Sequence, residues 1–280
     1  MIPEFHYQVD WRSPGVHPGP HRSAQYGGGY EFAGHVPLTA NPDPRNLDIR
    51  ATLHDPFGQL MVRTFRQRSA IPVYVVADLS ASMGFRGTTS KIELLAGFIA
   101  SVAYAAYRTG DSFGFIGCDS TIRWDFFLPL RWHKGAVPEL LQGLQNLRPE
   151  GKSAAGLDKV APYLGKQRAL VFLVSDFHFA LDRLDALLNT LVRHDVVPVV
   201  LWDSAEYERL PSWGLVHFVD PETGVRRRLF MRPALRDKIR ASFAKRRDDL
   251  GELCTLYGRE PFFLIDRFDP DALTRYFYQT

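Results

Sequence analysis

Between residues 71 and 203, short apolar runs alternate with stretches of helical period, and nothing else in the chain limits the fold as tightly. The runs at 73–79, 170–174 and 196–202 are almost continuously apolar, the pattern of strands buried on both faces. Helical stretches lie between them, at 91–108, 137–147, 154–164 and 181–193. The first places Ile92, Leu95, Ile99 and Val102 on one face and stops near Gly110. Segments 113–118 and 122–128 read as strands joined at Asp119-Ser120, an antiparallel edge pair. Alternating strands and helices argue for βαβ units. The expected class is therefore α/β: a doubly wound, mostly parallel sheet of Rossmann type with an irregular N-terminal segment.

That pattern sets the expected domains. Residues 1–70 form a Gly-, Pro-, His- and Arg-rich zone, with turn-forming stretches at 14–20, at Gly27-Gly28-Gly29 and around Asp43. Only 60–66 alternates enough there to predict a strand. Residues 71–280 form the main domain, which adds a hairpin, a long helix and a final strand–helix pair after residue 204. Hydrophobic residues at 45% and charged residues at 23% suit a globular chain. A net charge of +3 is too small to point to any partner class. No apolar run approaches the roughly 18 residues of a membrane span, and Met1-Ile2-Pro3-Glu4-Phe5-His6 lacks a signal-peptide pattern. Cys118 and Cys254 fall inside predicted elements and suggest no disulfide framework. The expected location is the cytoplasm.

Open α/β sheets bind ligands beyond the carboxyl ends of their strands, where strand order reverses. Two predicted strands end in carboxylates. Asp78-Leu79-Ser80-Ala81-Ser82 closes the first, so a carboxylate and two hydroxyls share one loop. Asp176 follows the strand at 170–174, and Ser153 offers a further hydroxyl between the two. Hard cations take oxygen donors, which makes Asp78, Ser80, Ser82, Ser153 and Asp176 candidate ligands of Mg²⁺, with Mn²⁺ or Ca²⁺ as alternatives. Such residues also cap helices and form turns, so the motif alone is a weak signal.

Other features carry less. Glu150-Gly151-Lys152-Ser153 looks like the end of a phosphate-binding loop, but Asn146 stands where its first glycine belongs. Among the nine histidines only His17 and His21 have the His-x-x-x-His spacing, and Pro18, Gly19 and Pro20 between them exclude a helical zinc site. No Gly-x-Ser-x-Gly nucleophile elbow is present, and His178 is the sole base candidate near Asp176. Residues 226–247 hold ten Arg and Lys against Asp237 alone, while Leu235, Ile239, Phe243, Leu250, Leu253 and Tyr257 mark one apolar helix face. This reads as a docked amphipathic helix with a solvated basic face, facing an acidic protein rather than nucleic acid.

The Asp-x-Ser-x-Ser spacing resembles the metal-ion-dependent adhesion site of von Willebrand factor A domains. The wider chain is similar to the MoxR-associated von Willebrand factor A-like family. Gly29-Tyr30-Glu31-Phe32, Asp43 to Arg50, Val62-Arg63-Thr64-Phe65, Gly110-Asp111-Ser112-Phe113-Gly114 and Asp220-Pro221-Glu222-Thr223-Gly224 all resemble its blocks. Two positions depart from it: Arg50 stands where Trp is usual, and Ser153 where Thr is usual. The resemblance implies direct coordination by Ser80 and Ser82, and coordination by Asp78 and Asp176 directly or through water. Ser153 would join in one state of its loop, and a partner's Asp or Glu would complete the shell. It also implies a MoxR-type AAA+ ATPase as partner in chaperone-like maturation of, or metal insertion into, a client. The segment 11–35 resembles members encoded with methanol dehydrogenase maturation genes.

The expectation is a non-enzymatic, metal-dependent interaction module with no stable membrane span and no nucleic-acid partner. The alternatives are a metal-dependent hydrolase using the same oxygens to activate water, and a structural protein with an inactive site.

Overall fold

The computed structural model describes residues 4–13, 18–27, 31–131, 134–219 and 225–279. Two compact units divide the chain: Gln8–Ile71, and a larger unit that takes in the residues up to Tyr7 and resumes at Pro72.

The smaller unit is built on an antiparallel sheet of β1 (Pro18–Gly27), β2 (Glu31–Pro37) and β3 (Met61–Ser69), with β3 in the middle. The sequence predicts β3 alone, because β1 (Pro-Gly-Pro-His-Arg-Ser-Ala-Gln-Tyr-Gly) has no apolar alternation. Pairing with β3 makes it a strand, and its prolines are tolerated because it is an edge. Gly19 is required there, since a Cβ would lie 2.3 Å from the Ala70 nitrogen. The short helix α1 (Ile49–Leu53) is capped by Asp48, whose Oδ1 accepts the Ala51 N–H at 3.0 Å. Arg63 Nε donates to Oδ2 of the same carboxylate at 2.7 Å. Residues 14–17 and 28–30, and with them part of the predicted turns and of the Gly29–Phe32 block, lie outside the described residues.

In the larger unit, β4 (Pro72–Asp78), α2 (Lys91–Thr109), β5 (Ser112–Cys118), β6 (Ile122–Arg131) and α3 (Val137–Asn146) come first. Then follow β7 (Leu170–Ser175), α4 (Leu181–Thr190), β8 (Asp195–Trp202), and the hairpin β9 (Gly214–Val219) and β10 (Arg226–Met231). The last elements are α5 (Pro233–Leu256), β11 (Phe262–Ile265) and α6 (Pro270–Tyr278). The predicted hairpin turn at 220–224 lies outside the described residues. Six strands form one sheet in the order β11-β8-β7-β4-β5-β6, parallel except for the β5–β6 edge pair. This is the doubly wound α/β order, and it reverses between β4 and β7.

Both faces of the sheet are covered, which is why β4, β5, β7 and β8 are buried at every position. On one face, Phe98 of α2 and Phe277 of α6 meet Phe172 edge-on at 5.5 and 6.1 Å, and Phe5 joins at 6.3 Å. On the other, Leu184, Leu187 and Leu188 of α4 and Leu250 and Cys254 of α5 pack with Tyr74, Val76, Val171 and Leu173. The predicted apolar face of α5 is fully covered only near its C-terminus, at Leu250, while Leu235 and Ile239 are half-buried. The helix expected at 154–164 is instead two 3-10 turns, Ala155–Lys159 and Ala161–Tyr163. Pro162, without an N–H to donate, interrupts α-helical bonding there.

Candidate metal centre

Asp78 is the last residue of β4 and Asp176 directly follows β7, so both carboxylates lie at the reversal of strand order. Both are buried. Asp78 Oδ1 accepts the Ser80 N–H at 2.9 Å and Oδ2 accepts the Ser175 hydroxyl at 2.8 Å. Those bonds turn the chain sharply and bring the Ser80 and Ser82 hydroxyls within 3.3 Å of each other. The Ser82 side chain also lies close enough to Asp176 to help hold its carboxyl low, so the first loop faces the second strand end.

The third loop runs beside the first. Ser80 bridges Gly151 in parallel pairing, and Ala81 N–H donates to the Gly151 carbonyl at 2.8 Å. Gly151 is also pressed against the turn between β5 and β6, where a Cβ on it would lie 2.4 Å from the Asp119 Cβ. Ser153 is half-buried, and its hydroxyl accepts the Ala155 N–H at 3.4 Å within its own turn. The structure thus gathers Asp78, Ser80, Ser82 and Asp176, and leaves Ser153 bonded to its own loop.

Asp176 is held by an unusual turn. Phe177 is fully buried yet adopts a left-handed backbone with φ of 50°, at a cost of about 1–2 kcal/mol for a residue with a Cβ. Arg246 of α5 donates to the carbonyls of Phe177 and Phe179, and the Trp202 indole N–H donates to the Asp176 carbonyl at 2.9 Å. Arg246 therefore belongs to the packing, not to the solvated basic face expected of it.

Three groups the sequence reading missed complete the centre. Lys91, the first residue of α2, is fully buried; its Nζ donates to Asp176 Oδ2 at 3.2 Å and to Glu206 Oε1 at 2.9 Å. Glu206 Oε2 in turn accepts the Asp203 N–H at 3.0 Å, and Asp203 accepts the N–H groups of Thr88 and Thr89 just before α2. Ser175 is the third. One signal was available: a cation in the first turn of a largely apolar helix opposes the helix dipole, which favours a carboxylate facing it.

Electrostatics distinguish the two aspartates. Burial, reinforced by the charge of Asp176, pushes the Asp78 carboxyl up to about 6. Burial also pushes Asp176 upward, but the Lys91 ammonium beside it, together with His178 and the Ser82 hydroxyl, outweighs that and leaves it below the usual carboxylate range. Lys91 is raised in turn: its two carboxylates overcome its desolvation.

Among the described residues, no three His, Cys, Asp or Glu side chains gather as a metal cage. A cation here would depend on hydroxyls as well as carboxylates. The donors are all oxygens converging from two adjacent strand ends, which fits a hard divalent ion such as Mg²⁺.

The family described as "Protein of unknown function DUF58" matches residues 43–249, most of the chain. The chain belongs to this family. A DUF58 assignment accords with the resemblance to MoxR-associated von Willebrand factor A-like proteins. An uncharacterised protein of the moxR 3′ region of Paracoccus denitrificans is 43% identical over 70 residues, 25% of this DUF58 chain and 67% of that protein. Among solved structures, an aerotolerance-related membrane protein from Bacteroides fragilis is similar at 12% identity, over 75% of this chain and 100% of that one, with a TM-score of 0.43. The conserved hypothetical protein BatB from Bacteroides thetaiotaomicron is similar at 12% identity, over 75% and 98%, with a TM-score of 0.40. Among the described residues of this DUF58 chain, no helix is long and apolar enough to cross a membrane.

Proposed function

We propose that this chain is a non-catalytic docking protein whose centre holds a divalent cation for a carboxylate of a partner. The observation that carries the reading is the meeting of Asp78 and Asp176 with the paired Ser80 and Ser82 hydroxyls at the reversal of strand order. Ser80, Ser82 and Asp176 would hold the ion, with Asp78 fixing the loop and Ser153 joining if its own turn opens. Bound there, Mg²⁺ would supply a Lewis-acidic anchor for an Asp or Glu of the partner. The moxR-region relative favours a MoxR-type AAA+ ATPase as that partner. ATP hydrolysis would belong to the ATPase, and the pair would mature a client or insert its metal; a methanol dehydrogenase is the candidate client.

No observation favours the hydrolase reading. His178, its sole candidate base, lies parallel to the Trp202 ring at 5.9 Å and meets Phe243 at 5.5 Å. The test is capture of the MoxR-type ATPase by wild type and Asp78→Ala, with Mg²⁺ or with chelator. Capture by wild type only, and only with Mg²⁺, is expected. Equal capture by the folded variant would reject the mechanism.

A further inference from the structure

The ammonium of Lys91 has no role in the docking mechanism, yet it occupies the carboxylate the mechanism needs. It is fully buried, it lies 3.2 Å from Asp176 Oδ2, and its other carboxylate partner, Glu206, is locked by a second bond to the Asp203 N–H. Asp203 ties the same assembly to the Thr88 and Thr89 N–H groups, at the loop leading into α2. The cation is therefore built in at both ends, by its helix and by the turn after β8.

We propose that Lys91 is a resident counter-ion that weakens divalent-ion binding at the Asp78–Asp176 centre, so that the ion is held firmly only when a partner carboxylate adds its charge. This rests on the reading of the centre as a metal site. Two consequences follow from charge. A divalent ion entering beside Asp176 meets a fixed positive charge in a poorly solvated place, where repulsion is strong. It also competes with Lys91 for the oxygens of Asp176, which already accept the ammonium on Oδ2 and the His178 N–H on Oδ1 at 3.3 Å. A partner's Asp or Glu reverses the balance by bringing a negative charge to the open side. Metal binding and partner binding then favour each other by the same factor, as linkage requires. Glu206 moderates the effect, because it shares the ammonium with Asp176.

The experiment is a Mg²⁺ titration without partner, read by thermal unfolding and by calorimetry, on four proteins: wild type, Asp78→Ala, Glu206→Gln and Lys91→Met/Glu206→Gln. The double variant removes the cation without stranding Glu206. It should bind Mg²⁺ at least about tenfold more tightly than wild type, a difference of about 1.4 kcal/mol. Glu206→Gln alone should bind more weakly than wild type, because Lys91 then rests on Asp176 undivided. The two opposite shifts separate this role from loosened packing. If the double variant does not fold, Glu206→Gln carries the test, and an unchanged affinity overturns the inference. If wild type responds to Mg²⁺, Asp78→Ala does not, and the two other variants match wild type, the metal site stands and the role of Lys91 is rejected. If no protein responds to Mg²⁺, the double variant included, this inference is overturned, and the Mg²⁺ dependence of ATPase capture decides the docking mechanism separately.

Discussion

Arg259→Met should lower the stability of the larger unit by about 3–5 kcal/mol, the cost of stranding one charge of a buried pair. Arg259 follows α5, and its guanidinium grips Asp195, the first residue of β8, through Nε–Oδ1 at 2.9 Å and Nη2–Oδ2 at 2.8 Å. Both side chains are only 8% exposed, so water replaces little of what is lost. The guanidinium also lies 5.3 Å from the Phe277 ring centre, a contact of about 0.5–1 kcal/mol. At roughly 2–4 °C per kcal/mol for a unit of this size, a loss of about 3 kcal/mol lowers the melting temperature by about 6–12 °C. Asp195→Asn should cost a similar amount. The double variant should cost well under the sum, because neither charge is left without its partner. This pair pins the entry to β11, which lies in parallel register on β8 from Phe262↔Val199 to Ile265↔Trp202. Thermal unfolding of the four proteins gives the cycle. Single variants that each shift melting by less than about 3 °C, or a double variant equal to their sum, would refute the argument.

Two further outcomes can be measured directly. In the smaller unit, the Ala51 N–H, Arg63 and His35 hold Asp48 well below the usual carboxylate range. The folded state therefore binds fewer protons than the unfolded one in acid. The contribution of Asp48 is complete above the unfolded value near about 4 and is lost as pH falls through the folded value. Asp48→Asn should flatten the acid limb of the stability–pH curve, and an unchanged slope would contradict this. Burial pushes the Cys254 thiol up to about 12 and raises Cys118 further. At about pH 8 a thiol reagent should find neither in the folded protein and both in denaturant, since the thiolate is the nucleophile; one fast thiol before unfolding would show that burial to be incomplete.

Sequence alone was enough for the sheet and for the address of the centre. Continuous apolar runs are what a doubly covered strand requires, so β4, β7 and β8 were legible within a residue or two. Strand ends follow from the runs, which is why Asp78, Ser80, Ser82 and Asp176 could be named together before any contact was known. The periodic pattern also marked α2 and its stop at Gly110, whose φ of 75° suits glycine.

Tertiary structure decided what pattern does not encode. β1 and β2 are strands because β3 lies between them, although neither shows strand-like alternation. The 154–164 segment has helical spacing, but it folds as two 3-10 turns that meet at Val160, and Pro162 has no N–H for an α-helical bond. Arg246 looked like one more solvated charge until the turn at Phe177 left carbonyls for it to satisfy. Above all, Lys91 and Glu206 are 115 residues apart, and nothing local distinguishes either from a surface residue apart from the awkward place of a cation at a helix start. Their meeting depends on β8 and α2 being set side by side by the order of the sheet. Composition and periodicity fix which segments are buried; the charges that share a buried point are fixed only when distant segments are brought together.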